Sequence, residues 1–123
     1  MRSKDVVGRY GEALAVRRLE SAGLVVLDRN WRCPDGELDI VALDGPVLVF
    51  VEVKTRSSAA FGDPAEAVDR VKAARIRQLA MLWIAAERER HPGAAWSSVR
   101  FDVVSVLRSR SGPPRVTVLR GAF

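Results

Sequence analysis

From Val7 onward, apolar or small residues recur at three- and four-residue steps: Val7, Gly11, Leu14, Ala15, Leu19 and Ala22. That is the period of a helix with one buried face. Ser3 or Asp5 can cap this helix, and Gly23 stops it. The pattern then changes. Residues 24–32, LVVLDRNWR, carry the Val, Leu and Trp that suit a pleated strand, and Pro34-Asp35-Gly36 supplies turn chemistry after it. A hairpin follows, with arms at 37–43 and 47–56 separated by Asp44-Gly45-Pro46. Its second arm opens as VLVFV without polar alternation, which predicts a central strand covered on both faces.

Residues 57–62 are small and polar apart from Phe61 and read as a loop. Asp63, Pro64 and Glu66 then fit the cap, first and third positions of a helix in a capping-box arrangement. Val68, Val71, Ile76, Leu79, Leu82, Trp83 and Ala86 are expected on its apolar side, and His91-Pro92-Gly93 ends it. Two β-rich stretches, 99–107 and 116–119, are joined by a Ser-, Gly- and Pro-containing segment at 109–114. The order α-β-β-β-α-β-β predicts an α/β fold, with a mixed central sheet flanked by helices and a parallel crossover through the second helix.

At 123 residues the chain is expected to form one domain, residues 1–123, with a core that needs no disulfide or metal staple. No apolar run approaches the ~20 residues of a membrane helix. Arg2, Lys4 and Asp5 precede no apolar signal core. The expectation is a cytoplasmic protein without a membrane partner. Cys33 and His91 are the only residues of their kinds, which excludes an internal disulfide and argues against zinc. Twenty basic against fifteen acidic residues give a net charge of +5, pointing to a polyanion such as nucleic acid. Seventeen of the twenty are Arg, so GC-rich coding could account for much of this bias. Where such a chain still uses Lys, a compact rotatable ammonium becomes the feature to explain.

Lys54 is one such position. Strand alternation puts Glu37, Asp39, Val41 and Leu43 on one face of the first hairpin arm, and Glu52, Lys54 and Arg56 on one face of the second. The turn decides whether they meet. A two-residue loop at Asp44-Gly45 would set Glu37 opposite Glu52 and force Pro46 into a ladder position. A three-residue loop would flip one arm. A four-residue loop pairs Leu43 with Leu48, which sets Asp39 opposite Glu52 with Cβ atoms about 5 Å apart and Lys54 about 6.6 Å along the strand. Two carboxylates that close repel unless a cation lies between them, and their hard oxygens select Mg²⁺ or Mn²⁺. An ion-pair cluster, with Glu37 and Glu52 satisfied by Lys54 and Arg56, is the competing account of the same residues.

Gly36-Glu37-Leu38-Asp39 followed by Phe50-Val51-Glu52-Val53-Lys54-Thr55-Arg56 resembles the PD-(D/E)xK signature of restriction-endonuclease-like proteins, and specifically the YraN family of small bacterial proteins. The likeness extends to Gly8, Gly11-Glu12 and Ala15, to Arg29-Asn30-Trp31, to Phe61-Gly62 and Pro64, to Lys72 and Arg75, and to Arg100-Phe101-Asp102-Val103-Val104. It implies a restriction-endonuclease-like fold related to Holliday-junction resolvases. Carried over by position, the signature falls on Asp39, Glu52 and Lys54. The literal Pro34-Asp35 pair belongs to the turn.

Glu12 is a further candidate, able to offer a carboxylate to the metal or its water from a small-residue helix edge, or else to pair with Arg9 or Arg18. Lys72 and Arg75, with Arg56, are candidate phosphate contacts, against the plainer reading of a solvated basic face. Trp83 is expected in the core, and Asp102 in a hydrogen bond that orders the sheet. The functional expectation is a metal-dependent endonuclease of DNA or RNA that recognises substrate structure rather than base sequence, with DNA favoured over RNA as partner and a homodimer as the option by which symmetry would supply further surface. Its rivals are a non-catalytic nucleic-acid-binding protein on the same fold and a protein-interaction module.

Overall fold

A computed structural model describes residues 6–57, 68–93 and 96–123. The chain runs α1 (Val6–Ser21), β1 (Val25–Cys33), β2 (Gly36–Asp44), β3 (Val47–Arg56), α2 (Arg70–Arg90), β4 (Ser98–Leu107) and β5 (Arg115–Leu119). The strands form one mixed sheet in the order β1-β2-β3-β4-β5; β3 and β4 pair in parallel and the other neighbours are antiparallel. Helix α2 lies between β3 and β4 in the chain, so it makes the crossover that a parallel pair requires.

Each sheet face carries one helix. Ala15, Val16 and Leu19 of α1 pack on Ile40, Ala42, Val49, Val51, Val104 and Val106. Ile76, Leu79, Ala80 and Trp83 of α2 pack on Leu38, Val41, Leu48 and Phe50. Strand β3 feeds both cores from alternate residues, which explains why VLVFV lacks polar positions. Trp83 is in the core as expected, and its indole N–H donates to Asp28 at 3.1 Å. Helix α1 closes on Gly23, at φ 92°, where the Gly23 and Leu24 N–H groups reach back to the Glu20 and Leu19 carbonyls.

Leu43 pairs with Leu48, and one more pair, Asp44 with Val47, closes the hairpin around Gly45 and Pro46. Pro46 therefore stays out of the ladder that it could not donate to. Helix α2 departs from the sequence pattern at its start. It is capped by Asp69, which accepts the Lys72 N–H at 2.8 Å, so Val68 lies before the helix; the expected cap at Asp63 falls outside the described residues. Its buried stripe is Ile76, Leu79, Ala80 and Trp83, whereas Val71 and Leu82 are exposed. A regular helix turns those two away from the 76-79-80-83 face. Among the described residues no helix is long and apolar enough to cross a membrane.

Candidate active site

The β2–β3 ladder continues to Ile40 opposite Val51 and then the strands part. The Val53 N–H, just past that point, is taken by the Asp39 carboxylate at 2.9 Å. Asp39 also sits where strand alternation fails. Ile40 belongs to the α1-side core, yet both Leu38 and Val41 belong to the α2-side core. Across on β1, Asn30 has φ 52°, and the ladder passes from Arg29–Ile40 directly to Trp31–Leu38. The simple expectation that Glu37, Asp39, Val41 and Leu43 share one regular face is corrected by this paired irregularity, which frees Asp39 from the ladder and turns it to Val53.

Asp39 is buried, at 6% exposure, and Glu52 is its neighbour. Burial pushes the Glu52 carboxyl up to about 7, and the charge of Asp39 and a hydrogen bond with it push in the same direction. Lys72 opposes both, its ammonium 2.5 Å from Glu52 Oε2. The two carboxylates, Lys54, Lys72 and Arg75 line one cleft of about 1320 Å³ between the parted strands, the start of α2 and the first turn of α1. Among the described residues neither Lys54 nor Arg75 makes an ion pair. Two of the chain's three lysines thus face the acid pair.

The competing ion-pair account distributes its charges differently from the structure. Glu37 accepts from Arg32 at 2.9 Å, its cross-strand partner on β1, and Glu52 pairs with Lys72. Lys54 is left over. Arg56, at the end of β3, is not among the cleft-lining residues. Glu12 is buried on α1, where it accepts the Asn30 side-chain amide at 2.6 Å and lies 3.5 Å from Arg29. It does not line the cleft. The neighbouring Gly11 brings α1 against Thr55 so closely that a Cβ there would stand 1.7 Å from Thr55 Oγ1.

Sequence reasoning missed the Lys72–Glu52 and Arg32–Glu37 pairs. Two signals could have found them: Lys72 is as exceptional as Lys54 in this Arg-rich chain, and a tight turn at Pro34-Asp35 pairs Arg32 with Glu37 directly. Asp102 does order the sheet. It accepts both Arg100 at 2.9 Å and the Gly121 N–H at 2.9 Å, and Arg100 extends the network to Asp44.

Among the described residues no group of three or more His, Cys, Asp or Glu side chains is placed to hold a metal ion. The donor set is the Asp39 and Glu52 pair. Two carboxylates with water completing the shell suit a hard cation that keeps much of its hydration, so the residues fit Mg²⁺ or Mn²⁺.

Fold and cleft together define a mixed α/β protein with a lysine-flanked acid pair at a strand divergence. Residues 11–106 match the uncharacterised protein family UPF0102, and the chain belongs to that family. A UPF0102 protein of Beutenbergia cavernae is 61% identical over 121 residues, 98% of each chain. One from Frankia alni is 59% identical over all of this chain and 98% of its own length. One from Streptomyces griseus is 50% identical, again over 98% of each chain.

Proposed function

We propose that this protein is a metal-dependent endonuclease that hydrolyses phosphodiester bonds of nucleic acid, built as one restriction-endonuclease-like domain of the YraN type in the cytoplasm. The observation that carries the proposal is the Asp39–Glu52 pair at the point where β2 and β3 part, with Lys54, which makes no ion pair among the described residues, in the same cleft. Asp39 and Glu52 would hold Mg²⁺ or Mn²⁺. Bound there, the ion supplies a lowered pKa for a water molecule and charge neutralisation for a phosphate oxygen.

The protein's own groups do the rest. The Val53 N–H fixes the Asp39 carboxylate beside Glu52 in the cleft. Lys54 donates a hydrogen bond that orients the attacking water and stabilises charge on the phosphate in the transition state. Arg75, exposed on the second turn of α2, meets the flanking backbone, with Arg56 beyond the cleft's end. Glu12 acts at one remove, holding Asn30 and hence the irregular stretch of β1 opposite Asp39. The resemblance to Holliday-junction resolvases favours DNA as substrate and a second copy of the chain to cut the second strand.

Single-turnover cleavage of branched DNA, linear DNA and RNA with Mn²⁺ tests the proposal. Wild type should cut at least one of them, and Asp39→Asn should not. Failure of wild type on all three would leave nucleic-acid binding without catalysis as the better account of the cleft.

A further inference from the structure

We infer that Lys72 is a displaceable internal counter-ion: a divalent cation entering the acid pair expels its ammonium from Glu52, and the released ammonium then binds substrate phosphate. The inference rests on the metal-site reading above and adds a coupling between metal and nucleic-acid binding.

Three observations support it. The Lys72 ammonium touches a Glu52 oxygen from within the cleft, so it occupies space beside an oxygen that a cation would need. Its backbone anchor is firm while its end is partly exposed. The Lys72 backbone N–H is held by the Asp69 cap, and the side chain remains 40% exposed, against 13% for Glu52. A partly exposed end on a four-carbon stem can shift within the cleft without moving the helix. Finally, lysine is used here in a chain with seventeen arginines. Arg at this place could grip Glu52 through two parallel hydrogen bonds, whereas a lysine ammonium is a point charge that a stronger cation can replace.

The coupling follows from reciprocity. If metal binding frees a cation for phosphate, then phosphate binding must favour the metal by the same factor. Before metal arrives, Lys72 neutralises Glu52 and is withdrawn from nucleic acid. Afterwards the ion takes over Glu52, and Lys72 joins Arg75 on the phosphate side of the cleft.

The test is Mn²⁺ titration by calorimetry at pH 8, where Glu52 is ionised, on wild type, Lys72→Met and Lys72→Arg, each checked by a thermal melt. Lys72→Met should bind Mn²⁺ about fivefold more tightly, because a charge-assisted competitor is gone, and Lys72→Arg should bind it more weakly than wild type. In parallel, the affinity of wild type for a short DNA duplex should rise when Ca²⁺ replaces EDTA, and that rise should shrink in Lys72→Met. Equal or weaker Mn²⁺ binding by Lys72→Met would overturn the counter-ion role while leaving the metal site standing. No Mn²⁺ binding by any of the three proteins would remove the metal site itself, and this inference with it.

Discussion

The carboxylate of Asp39 accepts its hydrogen bond from the backbone N–H of Val53, the residue next to Glu52. One acid is thereby tethered to the main chain that carries the other. Asp39→Ala should leave that N–H unpaired where the strands part and destabilise the fold by about 1–3 kcal/mol. Asp39→Asn keeps an acceptor and should remain within about 1 kcal/mol of wild type in a denaturant titration. Both should lose Mn²⁺ binding, which separates the structural role of Asp39 from its charge.

Glu52 predicts a particular pH dependence. Its carboxyl is raised from 4.5 to about 7, first by burial and then by Asp39. The folded state therefore holds a proton that the unfolded state has released between those values. The resulting stability is fully present below about 4.5 and is lost as pH rises through about 7. Wild type should melt at a lower temperature at pH 8 than at pH 5.5, and Glu52→Gln should lack this component of the decline. Mn²⁺ binding should run the other way, weakening by up to about tenfold per unit below pH 7 as the proton competes for Glu52.

Lys54→Arg should keep most nucleic-acid affinity and lose most cleavage, because charge survives while the compact donor is replaced by a longer planar fork. With no ion pair for Lys54 among the described residues, stability should move by less than about 0.5 kcal/mol. Unchanged single-turnover cleavage would remove Lys54 from the chemistry.

Nucleic-acid affinity should fall steeply with salt, and Arg75→Glu should weaken binding and flatten the salt dependence. Fluorescence anisotropy between low and moderate salt reads both quantities. Arg75 lies apart from the two cores, so the variant should melt like wild type.

Gly11→Ala should be among the most damaging small changes in the chain, since the new methyl would stand 1.7 Å from Thr55 Oγ1 and 2.9 Å from its Cβ. Overpacking of this kind costs about 1–3 kcal/mol. Adding Thr55→Ala should recover only part of the loss, because the Cβ contact remains. A double-mutant cycle by thermal melt checks the coupling.

The hairpin was readable because its constraint is local. Proline cannot join a ladder, and a loop that keeps Pro46 outside it pairs Leu43 with Leu48. Of the loop lengths weighed for this turn, that register is the one that sets Asp39 opposite Glu52. What stayed hidden depends on neighbours that a period cannot report. Alternation puts Glu37, Asp39 and Val41 on one face and does not report the break by which Leu38 and Ile40, beside the left-handed Asn30 of the adjacent strand, pack in different cores. Val71 reads as core by hydropathy, yet it lies off the 76-79-80-83 face and is exposed, while its neighbour Lys72 reaches Glu52. The position of that cap was masked by the equally good cap sequence at Asp63.

The parallel register between β3 and β4 joins residues far apart in the chain, Val47 with Ser98 through Arg56 with Leu107. The hairpin that carries Asp39 and Glu52 closes between Leu43 and Leu48. During synthesis from the N-terminus, the acid pair is thus assembled on a short-range hairpin well before its second sheet neighbour leaves the ribosome. Throughout that interval VLVFV is the open margin of a growing sheet, an uncovered template for strand pairing with another nascent chain. The segment that is largely buried at the finished centre of the sheet is therefore an aggregation hazard while the chain is being made, and slow translation between residues 57 and 97 would prolong the exposure.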